Sequence, residues 1–243
     1  MKPEQYSSRV VAFIDILGFR TLVQRLSVEP NLHDKLHSAL SQISKYKEMS
    51  LAERFAHKET ETSVFSDSIV ISSQKENLFL VLWNCICLQA HLLTLGILTR
   101  GGISYGQTYH KNDILYGEGM LRAYDLERKA AIYPRIVVDP DLVSEMSSGH
   151  IRVLLIQDVD GVWHTDPFAI GIKPPNSELL PEDGNNPHLV FLGTMETMIE
   201  EGLNSSNEVG QKAKWHWLKT QRDDALEFLR DHGETKVLYY MRP

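Results

Sequence analysis

The chain has 243 residues, 42% hydrophobic and 23% charged, the balance of a soluble globular protein large enough to bury a sizeable core. Its formal charge of −7 argues against a general nucleic-acid binder, which carries a basic stripe, yet leaves room for a polyanionic substrate held by a metal and a few arginines. The only cysteines, Cys85 and Cys87, point to different sides of a helix and read as small buried hydrophobes, not as a metal knuckle or local disulfide. The opening "MKPEQYSSR" lacks the apolar core of a secretory leader. The expected location is the cytoplasm, with no membrane and no nucleic-acid duplex as partner.

In chain order, "VVAFIDILGF" (Val10 to Phe19) reads as a strand buried on both faces that ends in one carboxylate, Asp15, and a glycine turn. "FRTLVQRLSVEP" reads as a short helix stopped near Pro30. Leu32, Leu36, Leu40 and Ile43 then follow at helical spacing behind an Asn cap. "HKETETSVFSDSIVISS" is a hairpin signature with Asp67 at its tip. The apolar run Leu78–Leu98 is interrupted by Asn84, Gln89 and His91, which favours a buried helix lying across the sheet over a membrane span. "ILTRGGISYGQTYH" is a strand, "GEGMLRAYDLERKAA" a helix, "PRIVVDP" a strand with Pro140 starting the next helix, and "RVLLIQDVDGVWHTDPF" a hairpin turning at Asp160-Gly161. The proline-rich segment 171–188 reads as a loop or lid, and the last stretch closes as a helix. The order predicts an α+β fold with a mainly antiparallel sheet and flanking helices.

Two acidic residues stand out. Asp15 ends one buried strand and Asp67 sits in the turn of the next hairpin, and neighbouring strands lie about 5 Å apart. Carboxylates that close repel unless one is protonated or a cation lies between them. Oxygen-only ligation suits Mg²⁺ or Mn²⁺ with substrate phosphates. Gly18 lets the chain bend into a helix start whose free N–H groups can receive phosphate oxygens. Either carboxylate alone is equally what a turn or a cap would use.

These residues carry a family resemblance. "FIDILGF" resembles the first metal motif of class III nucleotide cyclases, "VFSDSIVIS" the hairpin supplying their second metal Asp, "RGGISYGQTY" the glycine-containing strand after it, and "YGEGMLRAYDLERKAA" the following helix with its Leu-Glu. The four motifs keep the family's order over roughly residues 8 to 140. The resemblance implies a cyclase-like sheet of the ferredoxin-like or palm type in one domain over 1–243. That domain would have a core at about 8–170, a loop at 171–188 and a C-terminal helical extension at 189–243. The departures are equally informative. Where purine cyclases place a base-reading Lys, this chain has Ser63; their partner Asp falls on Ile114, with Asp113 displaced by one. Their transition-state Asn and Arg fall on Leu121 and Asp125. The wording as a whole is similar to the bacterial pyrimidine cyclases of the Pycsar anti-phage system.

The resemblance implies conversion of UTP to cyclic UMP and pyrophosphate, with CTP as the alternative substrate, or else a degenerate nucleotide-binding or dimerisation module. Asp15, Asp67 and the Ile16 carbonyl would hold two Mn²⁺ or Mg²⁺ ions. Phe13, Leu17, Gly18 and Phe19 would line the triphosphate, with Arg100 as the first and Arg122 as the second choice for the cation near the leaving group. Gly101-Gly102 would let a ligand approach the strand that carries Arg100. Tyr105, Tyr109 and Tyr124 could touch a base, although packing is their commoner use. A homodimer with composite active sites is implied, with the Leu78–Leu98 helix and the "VWHTDPF" hairpin as candidates for its interface, and a separate cyclic-nucleotide-binding effector would read the product.

Overall fold

The computed structural model describes residues 6–46, 60–112, 114–146, 149–170 and 187–233. The predicted loop lies outside them except at its end: Pro187 and His188 already belong to a helix, and His188 is buried.

The first strand, β1 (Ser7–Ile16), is covered on both faces as its apolar run requires. Helix α1 (Phe19–Leu26) follows the glycine turn, and α2 (Pro30–Tyr46) begins at Pro30. Pro30 therefore starts a helix as well as separating two, because a proline in the first turn gives up an N–H that has no intrahelical acceptor. Asn31 falls inside α2 and is not its cap. The predicted hairpin is β2 (Glu61–Phe65) and β3 (Ser68–Ser73), turning at Ser66 and Asp67 with Ser66 at φ 56°.

Helix α3 (Leu78–Leu93) is followed by the long strand β4 (Thr99–Lys111), a short return strand β5 (Ile114–Gly117) and helix α4 (Glu118–Ala130). After β6 (Ile136–Val138) come α5 (Pro140–Ser144), α6 (Gly149–Arg152) and the hairpin β7 (Leu155–Gln157) and β8 (Trp163–Thr165). Helices α7 (Pro187–Ser205) and α8 (Val209–His232) complete the described chain.

The strands form one sheet in the order β2-β3-β1-β4-β6-β8-β7, with β5 paired to β4. All pairings are antiparallel except β4 with β6. This is the α+β architecture that the element order predicts. One sheet face carries the main core. There Val10, Ala12, Ile14 and Ile16 meet Val81, Leu82, Cys85 and Ile86 of α3, and the same core takes in Phe191 of α7 and Leu218 of α8. The stretch Lys75–Leu93 is long and apolar enough to cross a membrane, but 61% of it is buried inside the protein. The thiols of Cys85 and Cys87 are buried, and burial pushes the Cys85 thiol far up.

Helix α3 spends most of its apolar surface on this core, with Phe79, Leu80 and Trp83 left partly exposed, and β8 lies between β6 and β7 with His164 and Thr165 buried and Trp163 partly exposed. The exposed large apolar side chains lie elsewhere, among them Phe65, Ile114, Tyr116, Leu121 and Tyr124.

The opposite face of β1 carries a smaller core of Val11, Phe13, Val70 and Ala123, roofed by α4. The helix lies so close that a Cβ on Gly102 would collide with the Ala123 carbonyl oxygen and stand 2.7 Å from Leu126 Cβ. Gly102 admits this helix and not a ligand, which corrects the role expected for the glycine pair. Gly102→Ala is expected to cost about 3 kcal/mol, the upper end for overpacking, because the obstacle is helix backbone. Urea unfolding followed by circular dichroism would measure it.

Candidate active site

Asp15 takes its position from register. On β1 it lies opposite Ser68 of β3 on one side and Arg100 of β4 on the other. Strand alternation puts it on the same face as Val11 and Phe13, beneath α4. The Ile16 amide donates to the Asp67 carbonyl at 2.9 Å, tying the hairpin turn to the end of β1. The two predicted carboxylates are thus brought to one corner of the sheet, near enough for the charge of Asp67 to act on Asp15.

Arg100 is also at this corner, but it is committed. Its Nε donates to Asp15 Oδ2 at 3.3 Å and stands 2.7 Å from Glu127 Oε1, a contact off the hydrogen-bond direction. Glu127 is the residue to which sequence reasoning assigned no role. Gly119, Ala123 and Glu127 are the buried positions of α4, each four apart, so they share the face turned to the sheet. A carboxylate in a stripe of small residues at that spacing was the signal available. Burial pushes the Asp15 carboxyl above the ordinary carboxylate range; the hydrogen bond and charge of Arg100 pull it down, and Asp67 adds to the rise. Burial likewise raises Glu127, opposed by Arg100 and reinforced by Asp15.

The site therefore gathers Asp15, Asp67 and Glu127 around the Arg100 guanidinium, with the charge of Arg128 also reaching Glu127. Ionised, the three carboxylates outnumber the arginines acting on them, and hard oxygen donors in that balance fit Mg²⁺ or Mn²⁺. Among the described residues no three His, Cys, Asp or Glu side chains converge on one point. Two carboxylates are what a magnesium site built around substrate phosphates normally supplies.

Beside the carboxylates, Gly18 at φ 70° starts α1 with no side-chain cap. Leu22 N donates to Gly18 O at 3.0 Å, and the amides before it lack intrahelical acceptors, so they can receive phosphate oxygens. Leu17 N is taken by Leu98 O at 2.8 Å, so of the residues expected to line the triphosphate Leu17 has no amide to offer it. Phe19 packs against the main core. Phe13 is buried, with its ring at 83° to Tyr124 and centroids 5.4 Å apart. Tyr109 stacks on Tyr116, and Tyr105 lies under the Lys75 ammonium, so the expected packing holds for these tyrosines.

The structure does not bring Arg122 to the carboxylate pair. Its guanidinium donates to Asp139 at 2.7 Å and Asp141 at 3.1 Å, at the start of α5. Leu121 is 67% exposed, and Asp125 pairs with Lys129 one turn on. Ser63 Oγ lies 2.9 Å from His110 Nε2 and donates to Asn112 O at 3.2 Å. His110 Nδ1 stands 2.8 Å from Ser72 Oγ, which also accepts from Arg9 Nε at 3.1 Å. Asp113 lies outside the described residues.

No protein-family model matches the chain, and no curated protein does. Among solved structures it is similar to the adenylyl cyclase CyaB from P. aeruginosa, with 18% identity, covering 66% of this chain and 94% of that one at a TM-score of 0.44. It is also similar to a bacterial light-regulated adenylyl cyclase, with 16% identity, covering 67% and 92% at 0.44. A third is the catalytic core of a rhodopsin-guanylyl cyclase with converted specificity in complex with ATPalphaS, with 14% identity, covering 66% and 96% at 0.46. Likeness at this level assigns no activity and no residue role to this chain.

The raised carboxyls make a stability prediction. As pH rises from the ordinary carboxylate range, the unfolded chain releases these protons first; the fold loses stability until its own raised values are passed, and the full penalty stands at neutral pH. Asp15→Asn should therefore melt higher than the parent at pH 7 without divalent metal, and the advantage should vanish below about pH 4. A fall in melting temperature at pH 7 would instead make Asp15 a stabilising partner of Arg100.

Proposed function

We propose that the chain is a divalent-metal-dependent pyrimidine nucleotide cyclase, turning UTP into cyclic UMP and pyrophosphate. The observation that carries this reading is that Asp15 and Asp67 come to one sheet corner, tied by the Ile16 amide, where carboxylates outnumber the arginines acting on them. The resemblance of four ordered motifs to class III cyclases supplies the reaction. Asp15, Asp67 and the carbonyl of Ile16 would hold Mn²⁺ or Mg²⁺, two ions per site. When bound, such ions supply acidification of the ribose 3′-hydroxyl and neutralisation of the triphosphate. The uncapped start of α1 orients phosphate oxygens through its first-turn amides, and Arg100, held between Asp15 and Glu127, keeps the Asp15 carboxylate in place. Arg122 serves the α5 cap in this reading.

The preference for a pyrimidine rests on the missing purine-reading pair, with Ser63 and Ile114 at its positions, and on the likeness to the bacterial pyrimidine cyclases. Where purine cyclases place their base-reading Lys, a short hydroxyl is tied to His110 and to the Asn112 carbonyl. CTP is the alternative substrate on the same grounds. A composite dimeric site is part of this reading, and the exposed Phe65, Leu121 and Tyr124 give it apolar surface. One cyclase domain spanning the chain, a cytoplasmic location, a role in anti-phage defence and a separate effector for the cyclic nucleotide complete the proposal.

A second reading has its own observation. Both candidate arginines are bound to carboxylates of their own chain, and Leu121 and Asp125 stand at the family's transition-state positions. That favours a cyclase-like module that binds nucleotide without turnover.

Purified protein incubated with each of the four nucleoside triphosphates and Mn²⁺ separates the two, with products resolved by mass. Cyclic UMP is expected, disappearing on chelation of the metal. Asp15→Ala and Asp67→Ala should each lose about 10³-fold or more in rate while remaining folded. Cyclic AMP as the sole product would defeat the pyrimidine assignment, and nucleotide binding without any product would establish the second reading.

A further inference from the structure

The proposed reaction leaves Glu127 without a task of its own, and its surroundings say what it can do. Its side chain is 4% exposed, against 19% for Asp15 and 32% for Arg100. A carboxylate that deep is cut off from water and needs a cation held against it. Its backbone is fixed as well: a Cβ on Gly102 of β4 would stand 3.0 Å from Glu127 N, so helix and strand are already in contact there. Glu127 therefore cannot swing out to meet an incoming ion, whereas the more exposed Asp15 can receive one.

Arg100 stands between the two acids and serves them unequally. Its Nε–H donates to Asp15 Oδ2 along a long bond of 3.3 Å. Glu127 Oε1 is nearer, at 2.7 Å, yet it lies off the N–H direction and accepts no hydrogen bond among the described residues. The shorter contact goes unused while the longer one carries the proton. A turn of the guanidinium plane, with no travel of either backbone, would exchange the two acceptors. That exchange is unfavourable while Asp15 is bare, because it strips this carboxylate of its hydrogen bond. It becomes favourable once another cation neutralises Asp15, since a buried carboxylate oxygen then gains the charge-assisted bond it lacks.

We propose that Glu127 is a positioning residue for metal entry, which takes over the Arg100 N–H when Asp15 binds a divalent ion. Arg100 holds Asp15 in place in the metal-free site and is parked on Glu127 in the loaded one. The arginine then neither opposes the ion nor remains as a buried charge without a partner. This inference rests on Asp15 being a metal ligand, as in the reading above. It adds that Glu127 sets metal affinity through Arg100, without touching the ion itself.

The test uses the full-length protein without nucleotide, labelled with ¹⁵N and titrated with Mg²⁺. The Arg100 Nε–H signal, identified by its loss in Arg100→Lys, is followed by NMR. In the parent protein this proton should move downfield as Mg²⁺ saturates, the sign of a shorter and straighter bond, and Asp15→Ala should abolish the movement. In Glu127→Gln, Mn²⁺ affinity, measured from the paramagnetic resonance of the free ion, should fall about tenfold, because Arg100 then has only a neutral amide to turn to. Glu127→Asp, which keeps the acid but withdraws it from Arg100, should lose most of the same affinity. An Arg100 signal that stays in place while the Asp15-dependent ion binds would overturn the role of Glu127 and leave the metal site standing. Parental Mn²⁺ affinity in Glu127→Gln or Glu127→Asp would do the same. Metal binding equal in the parent and in Asp15→Ala, or none at all, would overturn both this role and the metal site.

Discussion

A carboxylate on a central strand of a covered sheet has few ways to remain charged, and Asp15 uses one that is only half sufficient. Its strand neighbour Arg100 supplies one positive charge, which Glu127 shares from the helix above. Asp67 adds a further negative charge from the hairpin turn. The corner therefore holds more carboxylates than nearby cations, and the raised carboxyls express first their burial and then this crowding of like charge. Evolution commonly tolerates such a penalty where the missing charge arrives with a metal or a substrate.

That corner depends on how closely α4 approaches the sheet. Gly102 and Gly106 of β4 remove side chains that would stand between helix and strand, and Gly119, Ala123 and Glu127 face the gap in turn. The close approach is what buries Glu127 and delivers it to Arg100. It also turns Leu121 and Tyr124 outward, leaving apolar surface beside the site. One helix orientation thus settles both which carboxylate joins the cluster and which residues remain for a partner.

The C-terminal helices are joined to the same region through a buried polar knot. Arg135, whose side chain is 1% exposed, donates to Asp158 at 2.7 Å and to Asp160 at 2.5 Å. Trp217 of α8 donates to the same Asp158 at 2.6 Å. The Arg135 carbonyl in turn accepts from Gly101 N, the residue after Arg100. Breaking a buried pair of this kind leaves an uncompensated charge, so α8 is held firmly to the strand that carries the site.

Much of this was legible in one dimension. The apolar run ending in Asp15, the hairpin with Asp67 at its turn, the buried helix α3 and the Asp160-Gly161 turn are local signals, each set by periodicity or by what a turn demands of its residues. They sufficed for the fold class and for bringing two aspartates together. The partners of Arg100 and Arg122 were not legible, because an arginine's long side chain pairs with whatever the packing of distant elements places within reach. Glu127, Asp139 and Asp141 lie 27, 17 and 19 residues from the arginines they bind, on other elements. The covering of α3 was not legible for a related reason: hydrophobicity says that the helix must be buried, but only tertiary packing decides how much of it its own chain covers. The sequence by itself determined which residues had to be inside and where the chain had to turn. The tertiary structure alone decided which charges meet, since pairing is a matter of distance across the fold and not of order along the chain.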